Sequence, residues 1–217
     1  AVLRAAKRFE ETTALSASLY KNNTDFHGAT YGCHESYLVP RSVGLESLFE
    51  AALPMLIVRQ VLVGAGKVGS ECGGKCKFQL SQRADFCETV LSIDTLFKRP
   101  IFNTRDEPHA NPNDWMRLHV ICGDANMSLA TTARKLALTK LAIQLAIAGK
   151  APKWVIKNPV EAIQSISRDD SRDFQIELAD GSFTTAYEIF ESYFEAAERQ
   201  GWLKIMASID SNVGGDP

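Results

Sequence analysis

The chain lacks any apolar run long enough to cross a bilayer. Its longest candidate, Leu136–Ala148, is broken by Thr139, Lys140 and Gln144, well short of the ~20 apolar residues a spanning helix needs. A one-sided charge is also missing. Twenty-four Lys and Arg stand against 26 Asp and Glu, a net −2, so no basic excess offers itself to nucleic acid. No block of like charge suggests a disordered tail. The opening "AVLRAAKRFEETTALSAS" is charged and amphipathic, unlike a secretory signal, and a cytoplasmic location is expected. Cysteine is sparse and odd in number: Cys33, Cys72, Cys76, Cys87 and Cys122. Five scattered thiols suit a reducing compartment better than a disulfide framework. Cys72 and Cys76 make a C-x3-C pair, but no second pair exists at the spacing a structural zinc needs. Internal repeats and low-complexity linkers are absent too.

What remains is an ordinary globular composition over 217 residues, 45% of them hydrophobic, enough for a sizeable core. Residues 1–13 read as the end of a helix. Residues 17–23, "ASLYKNN", read as a strand entering a polar stretch, and 34–39, "HESYLV", as a second short strand. From Leu45 to Val63 the apolar residues fall at helical spacing, interrupted by Pro54. "KFQLSQ" and "MRLHVICGD" alternate as strands, the second with Leu118, Val120 and Cys122 on one side and Arg117, His119 and Ile121 on the other. Residues 101–115 read as a polar loop. "NMSLATTARKLALTKLAIQLAIAGK" is a helix ending at Gly149 and capped by Asp124 or Asn126. A hairpin turning at Asp180-Gly181 follows, then a last amphipathic helix from Ala186 towards Ile209. The pattern is α+β, antiparallel strands with helices against one face.

Two phosphate motifs can be set aside. Gly64-Ala65-Gly66-Lys67-Val68-Gly69 matches G-x-G-x-x-G. It is followed by "SECGGKCK", too rich in glycine to open the helix whose amides would hold a pyrophosphate. Lys67 precedes Val68, so a Walker A hydroxyl is missing as well. The gentler reading is a turn.

The stretch "YKNNTDFHGATYGCHESY" (20–37) gathers polar side chains densely. Its Asp and Asn can cap turns, the common use of such residues, or His34-Glu35 can face a metal. Arg83 in "LSQRADF" and Arg105 in "NTRDEPHA" can form surface ion pairs or phosphate forks. His119 shares a strand face with Arg117, an arrangement suited to an anion or a metal–phosphate complex. Arginines that neutralise phosphate, with His and Glu holding cations, are what a nucleotide–magnesium site on an open sheet face requires.

The strings "YKNNTDFHGATYGCHESYLVPR", "FQLSQRADF", "RPIFNTRDEPHA" and "MRLHVICGDANMS" resemble the Pup ligase / Pup deamidase–depupylase family, in order and over roughly residues 18–200. The resemblance implies a glutamine-synthetase-like fold, a curved antiparallel sheet cradling ATP and magnesium. Its ligase branch joins the C-terminal glutamate of Pup to a substrate lysine through an acyl phosphate. Its depupylase branch deamidates the C-terminal glutamine of Pup and removes Pup from proteins. Carried over by motif, His34 and His119 resemble the magnesium ligands, and Arg83 and Arg105 the nucleotide-phosphate arginines. Pup and pupylated proteins are the implied partners, with an indirect link to a bacterial proteasome system; nucleic acid and membrane are not expected. The family's G-x-E-x-E strand and its catalytic aspartate have no counterpart here, nor has its small C-terminal domain after Gly201. The expectation is therefore one partial domain over residues 1–217, incomplete at the N-terminus, without its own catalytic residue. "GATYG", "KFQLSQR", "GDANM" and "SISRDDS" lean to the depupylase branch; "GAGKV", "YGCHE" and "RPIFNTRDEPHA" lean to the ligase. A related glutamate–amine ligase and a non-catalytic module binding nucleotide or Pup are the other readings.

Overall fold

The computed structural model describes residues 2–71, 76–94 and 99–202. Helix α1 (Val2–Thr13) opens the chain and buries none of its residues. The strand expected over residues 17–23 does not form. Instead the polar stretch folds as a turn, closed by a bridge between Thr24 and Thr30. Asp25 Oδ1 accepts the amides of His27 (2.8 Å) and Ala29 (2.9 Å). A short polar side chain so placed satisfies the backbone locally and competes with strand pairing. Asp25 is thus a turn-capping residue, the common use of its type.

Strand β1 (Glu35–Pro40) leads into helix α2 (Leu45–Val58), which carries Pro54 buried within it, and then the short α3 (Gln60–Val63). Strands β2 (Lys67–Val68) and β3 (Phe78–Gln79) make a small hairpin, so the strand expected for "KFQLSQ" is only two residues long. Among the described residues no helix follows the glycine motif directly, in keeping with a turn. Gly66 and Gly69 take φ of 75° and 74°, conformations that side chains disfavour. Gly64 is there for a different reason. A Cβ on it would collide with the carbonyl oxygens of Leu80 and Gln60. Gly64→Ala is expected to destabilise the protein by about 1–3 kcal/mol through this overpacking, read from urea unfolding midpoints. Cys72 of the C-x3-C pair lies outside the described residues.

Strands β4 (Thr89–Ser92), β5 (Pro100–Asn103) and β6 (Trp115–Val120) complete the main sheet, ordered β1-β6-β5-β4. It is antiparallel across β1, β6 and β5, while β4 joins at the edge, parallel to β5. The expected polar loop therefore starts three residues late. Ile101, Phe102 and Asn103 are buried strand, too short a run to show alternation in the sequence. Beyond the sheet come helices α4 (Leu129–Ile147) and α5 (Pro159–Arg168), the hairpin β7 (Gln175–Glu177) and β8 (Phe183–Thr185), and helix α6 (Ala186–Arg199). The hairpin turns at Gly181, at φ 84°. The remainder of the expected last helix, residues 203–209, lies outside the described residues.

Helix α4 is capped by Ser128, whose Oγ accepts from Thr131 N, rather than by Asp124 or Asn126. Those two are drawn inward by other donors and acceptors, described below. One sheet face is apolar: Val39, Met116, Leu118, Val120 and Phe102 are all at or below 1% exposure. It packs against the cluster made by α2, α4 and α6, with Leu48, Met55, Leu56, Leu145 and Tyr193. That burial removes the helices' apolar stripes from water and leaves the opposite sheet face open. At ~25 cal/mol per Å² of apolar surface buried, it is the chief source of stability. No helix among the described residues is long and apolar enough to cross a membrane.

Candidate functional site

Alternation along β1 and β6 decides what the open face presents. In register, Ser36 pairs with His119 and Leu38 with Arg117, and across β5 Asn103 pairs with His119. These side chains share one face because cross-strand partners always do. His34, two residues before Ser36, lies on the same side. Its Nδ1 stands 2.9 Å from His119 Nε2. His119 is 4% exposed, and its Nδ1 lies 3.2 Å from Asn103 Oδ1.

Arginines ring the pair. Arg83 is 5% exposed; its Nη1 donates to the carbonyl of Gly123 (2.5 Å) and its Nε to Thr30 Oγ1 (3.1 Å). Arg99 donates to the carbonyl of the same Thr30 at 3.2 Å. Two guanidinium groups thus converge on one threonine, where an anion would relieve their repulsion. Burial first, then the charge of Arg83, lowers the pKa of Arg99. Arg117 donates from Nε to Ser36 Oγ at 3.1 Å. Arg105 lies on the loop just after β5 with its side chain 57% exposed, 3.8 Å from Glu107. That loop is fastened to the sheet: Asp106 accepts from the amide of Arg117 (2.9 Å) and from Arg41 (2.7 Å). The side-by-side charges of 105–107 are therefore an organised network.

The field of these arginines is legible in the histidines. Desolvation, then the charges of Arg83 and Arg117, hold His34 below the usual imidazole range. Desolvation, Arg117, His34 and Arg105 push His119 down to about 4. At neutral pH both rings are uncharged, so their nitrogen lone pairs are available to a cation or a proton donor. Among the described residues no group of three or more His, Cys, Asp or Glu could hold a metal ion. Two imidazoles alone are too few for a hard cation, which prefers oxygen ligands. The pair fits one side of a cation whose other ligands are phosphate oxygens or groups beyond the described residues, with His119 Nε2 already facing His34 and its Nδ1 facing Asn103.

Glu35, adjacent to His34, points the other way, as strand alternation requires. It is 4% exposed and takes a bidentate ion pair from Arg59, with Nη2–Oε1 2.6 Å and Nη1–Oε2 2.8 Å. Tyr37 donates its hydroxyl to Glu35 Oε2 at 2.6 Å, and Arg59 also donates to Thr139 Oγ1 at 2.6 Å. Asp124 is a second hub. Its carboxylate accepts from the amides of Ala65, Gln82 and Arg83 and from Ser81 Oγ, all within 3.2 Å. Lys135 donates to its carbonyl at 2.5 Å. Asp124 thus ties the 81–83 turn, and with it Arg83, to the end of β6. Asn126 similarly donates to the carbonyl of Val63 (2.8 Å).

The four residues singled out from the sequence thus divide. His34 and His119 touch, buried Arg83 stands near enough to act on His34, and Arg105 sits at the rim and acts on His119. Arg99 and Asn103 join the site from outside the residues singled out, and Thr30 belongs to the polar stretch of 20–37. Asn103 was read as loop, and nothing short of the β5–β6 register would have paired it with His119.

The model of the family described as Pup-ligase protein matches residues 1–206. The chain is 45% identical over 183 residues to a depupylase of Acidothermus cellulolyticus, covering 83% of this chain and 36% of the relative. To a Pup–protein ligase of Corynebacterium jeikeium it is 42% identical over 199 residues, covering 88% and 43%. To the Pup deamidase/depupylase of Mycobacterium tuberculosis it is 40% identical over 202 residues, covering 89% and 40%. The solved Pup ligase PafA in complex with ADP superposes with a TM-score of 0.75 at 39% identity, over 92% of this chain and 45% of PafA. PafA in complex with Pup gives 0.74 at 38%, over 91% and 40%. This chain belongs to the Pup ligase family. Its fold is the family's α+β, glutamine-synthetase-like one, and it spans less than half the length of the relatives it matches.

Proposed function

We propose that this chain forms the nucleotide- and cation-facing part of a Pup-processing enzyme, the central part of its large domain. The observation that carries the reading is the open sheet face, where two touching neutral histidines lie in the field of Arg83, Arg105 and Arg117. Arg83 and Arg105 bind the phosphates of ATP, Arg83 as the fixed fork and Arg105 as the exposed arm. His34 and His119 serve the magnesium side, His34 foremost. Bound ATP–magnesium supplies a polarised phosphate group and positive charge near the carboxyl-derived end of Pup. This chain's residues orient it and offset its charge. The support is that a family member of 39% identity, PafA, binds ADP, and that it binds Pup in a second structure.

Within the family we favour hydrolysis: deamidation of a C-terminal Pup glutamine and cleavage of Pup from proteins. The depupylase-like strings support this; overall identity does not separate the branches, at 45% to a depupylase and 46% to a Pup–protein ligase. Ligation is the second reading, favoured by similarity to a solved ligase and by relatives of that name. The full-length protein incubated with ATP–magnesium and Pup ending in glutamine should release ammonia and leave Pup ending in glutamate. Attachment of glutamate-ending Pup to a lysine substrate, with no ammonia released from the glutamine form, would instead establish the ligase.

A further inference from the structure

Three polar groups on the open face form a single line of hydrogen bonds, and its direction is fixed at one end. Asn103 Nδ2 donates to the carbonyl of Ile93 at 2.8 Å, while Asn103 Oδ1 accepts the amide of Arg105 at 3.0 Å. Turning the amide over would set oxygen against the Ile93 carbonyl and NH2 against the Arg105 N–H, losing both bonds. The orientation therefore follows from the network. Oδ1 is thus the atom that faces His119 Nδ1 across 3.2 Å, and it can only accept. His119 Nδ1 must carry the proton. In the uncharged ring Nε2 is then bare, and it faces His34 Nδ1 at 2.9 Å. A bond between those nitrogens needs one proton, which only His34 Nδ1 can supply. His34 Nε2 is left with a free lone pair. It lies beside Gly32, where a Cβ would come within 2.7 Å of it, so the absence of a side chain there keeps the nitrogen open.

We infer that Asn103 and His119 are positioning residues that lock His34 as the Nδ1–H tautomer, presenting Nε2 as the one open imidazole nitrogen of this face. His119, buried and engaged at both nitrogens, works through His34. Asn103 plays the part that a carboxylate or carbonyl plays behind many metal-bound histidines, one imidazole further away. That the open nitrogen receives a divalent cation rests on the reading above; the tautomers themselves do not.

The test uses the full-length protein with 15N-labelled histidine, in long-range 1H–15N spectra at neutral pH, with His34→Gln as the assignment control. Both His34 and His119 should show a protonated Nδ1 and a bare Nε2. A protonated Nε2 on His34 in the unsubstituted protein overturns the inference, whatever any variant does. Asn103→Leu removes the acceptor and should let His34 shift towards the Nε2–H form, with kcat falling about 10- to 100-fold. Should Asn103→Leu fail to fold, the unsubstituted spectrum still decides. Added Mn2+ with ADP should broaden the His34 lines before those of His27 and His109. Correct tautomers without that broadening would uphold the relay and overturn the cation reading, so the two fail separately.

Discussion

Arg59→Ala is expected to lower the unfolding free energy by about 3–5 kcal/mol, the usual cost of stranding one partner of a buried ion pair. Arg59 and Glu35 are 2% and 4% exposed, so water cannot replace the lost charge. The same variant should invert the pH response. In the intact protein burial raises the pKa of Glu35, but the charge and hydrogen bonds of Arg59, with Tyr37 and Lys135, outweigh it and hold the carboxyl below its ordinary range. A depressed folded pKa means that the contribution is present above the unfolded value of about 4.3 and lost as pH falls through the folded one. Without Arg59 the buried carboxyl has its pKa raised, and acidification from pH 7 to 5 should then stabilise the protein. Urea unfolding at the two pH values reads both effects. Replacing the pair together, Arg59→Leu with Glu35→Leu, should cost much less than Arg59→Ala, because no charge is stranded. An additive double substitution would show that the pair does not act as a unit.

Arg83→Ala in the full-length protein should weaken ADP–magnesium binding by about 10- to 150-fold, equivalent to ~1.5–3 kcal/mol for a charge-assisted hydrogen bond. Arg83 is buried and held by Gly123 and Thr30, so little of its ordering must be supplied on binding. Arg83→Lys keeps the charge but loses the fork and should fall between. Arg105, exposed and paired only loosely with Glu107, should matter less and more salt-dependently. Calorimetric titration at two ionic strengths separates the two roles.

How much of this was legible beforehand depended on whether the information was local. The alternation of "MRLHVICGD" put Arg117 and His119 on one face, and the register bears that out. Setting aside the glycine motif as a dinucleotide site also stands, since its own Lys67 and Val68 form β2 and Gly66 and Gly69 take positive φ. The expected strand over residues 17–23 does not form; its Lys21 and Asn23 reach Asn126 and Ala125 through side chains and not through a backbone ladder. Asp124 and Asn126 looked like helix caps because capping residues are recognised by type and position. Their actual partners, at Ala65, Ser81, Arg83 and Val63, are far away in sequence. Glu35 was left open between metal and structure, and only the presence of Arg59 behind β1 decides it. Asn103 needed the strand register, which no single segment encodes.

The account stands on the open face of the sheet, and the most direct measurement is a crystal structure of the full-length protein with an ATP analogue and Mn2+. It should show anomalous Mn2+ density within bonding distance of His34 Nε2, with phosphate oxygens against Arg83 and Arg105. Nucleotide bound elsewhere, or Mn2+ held without contact to His34, would contradict it.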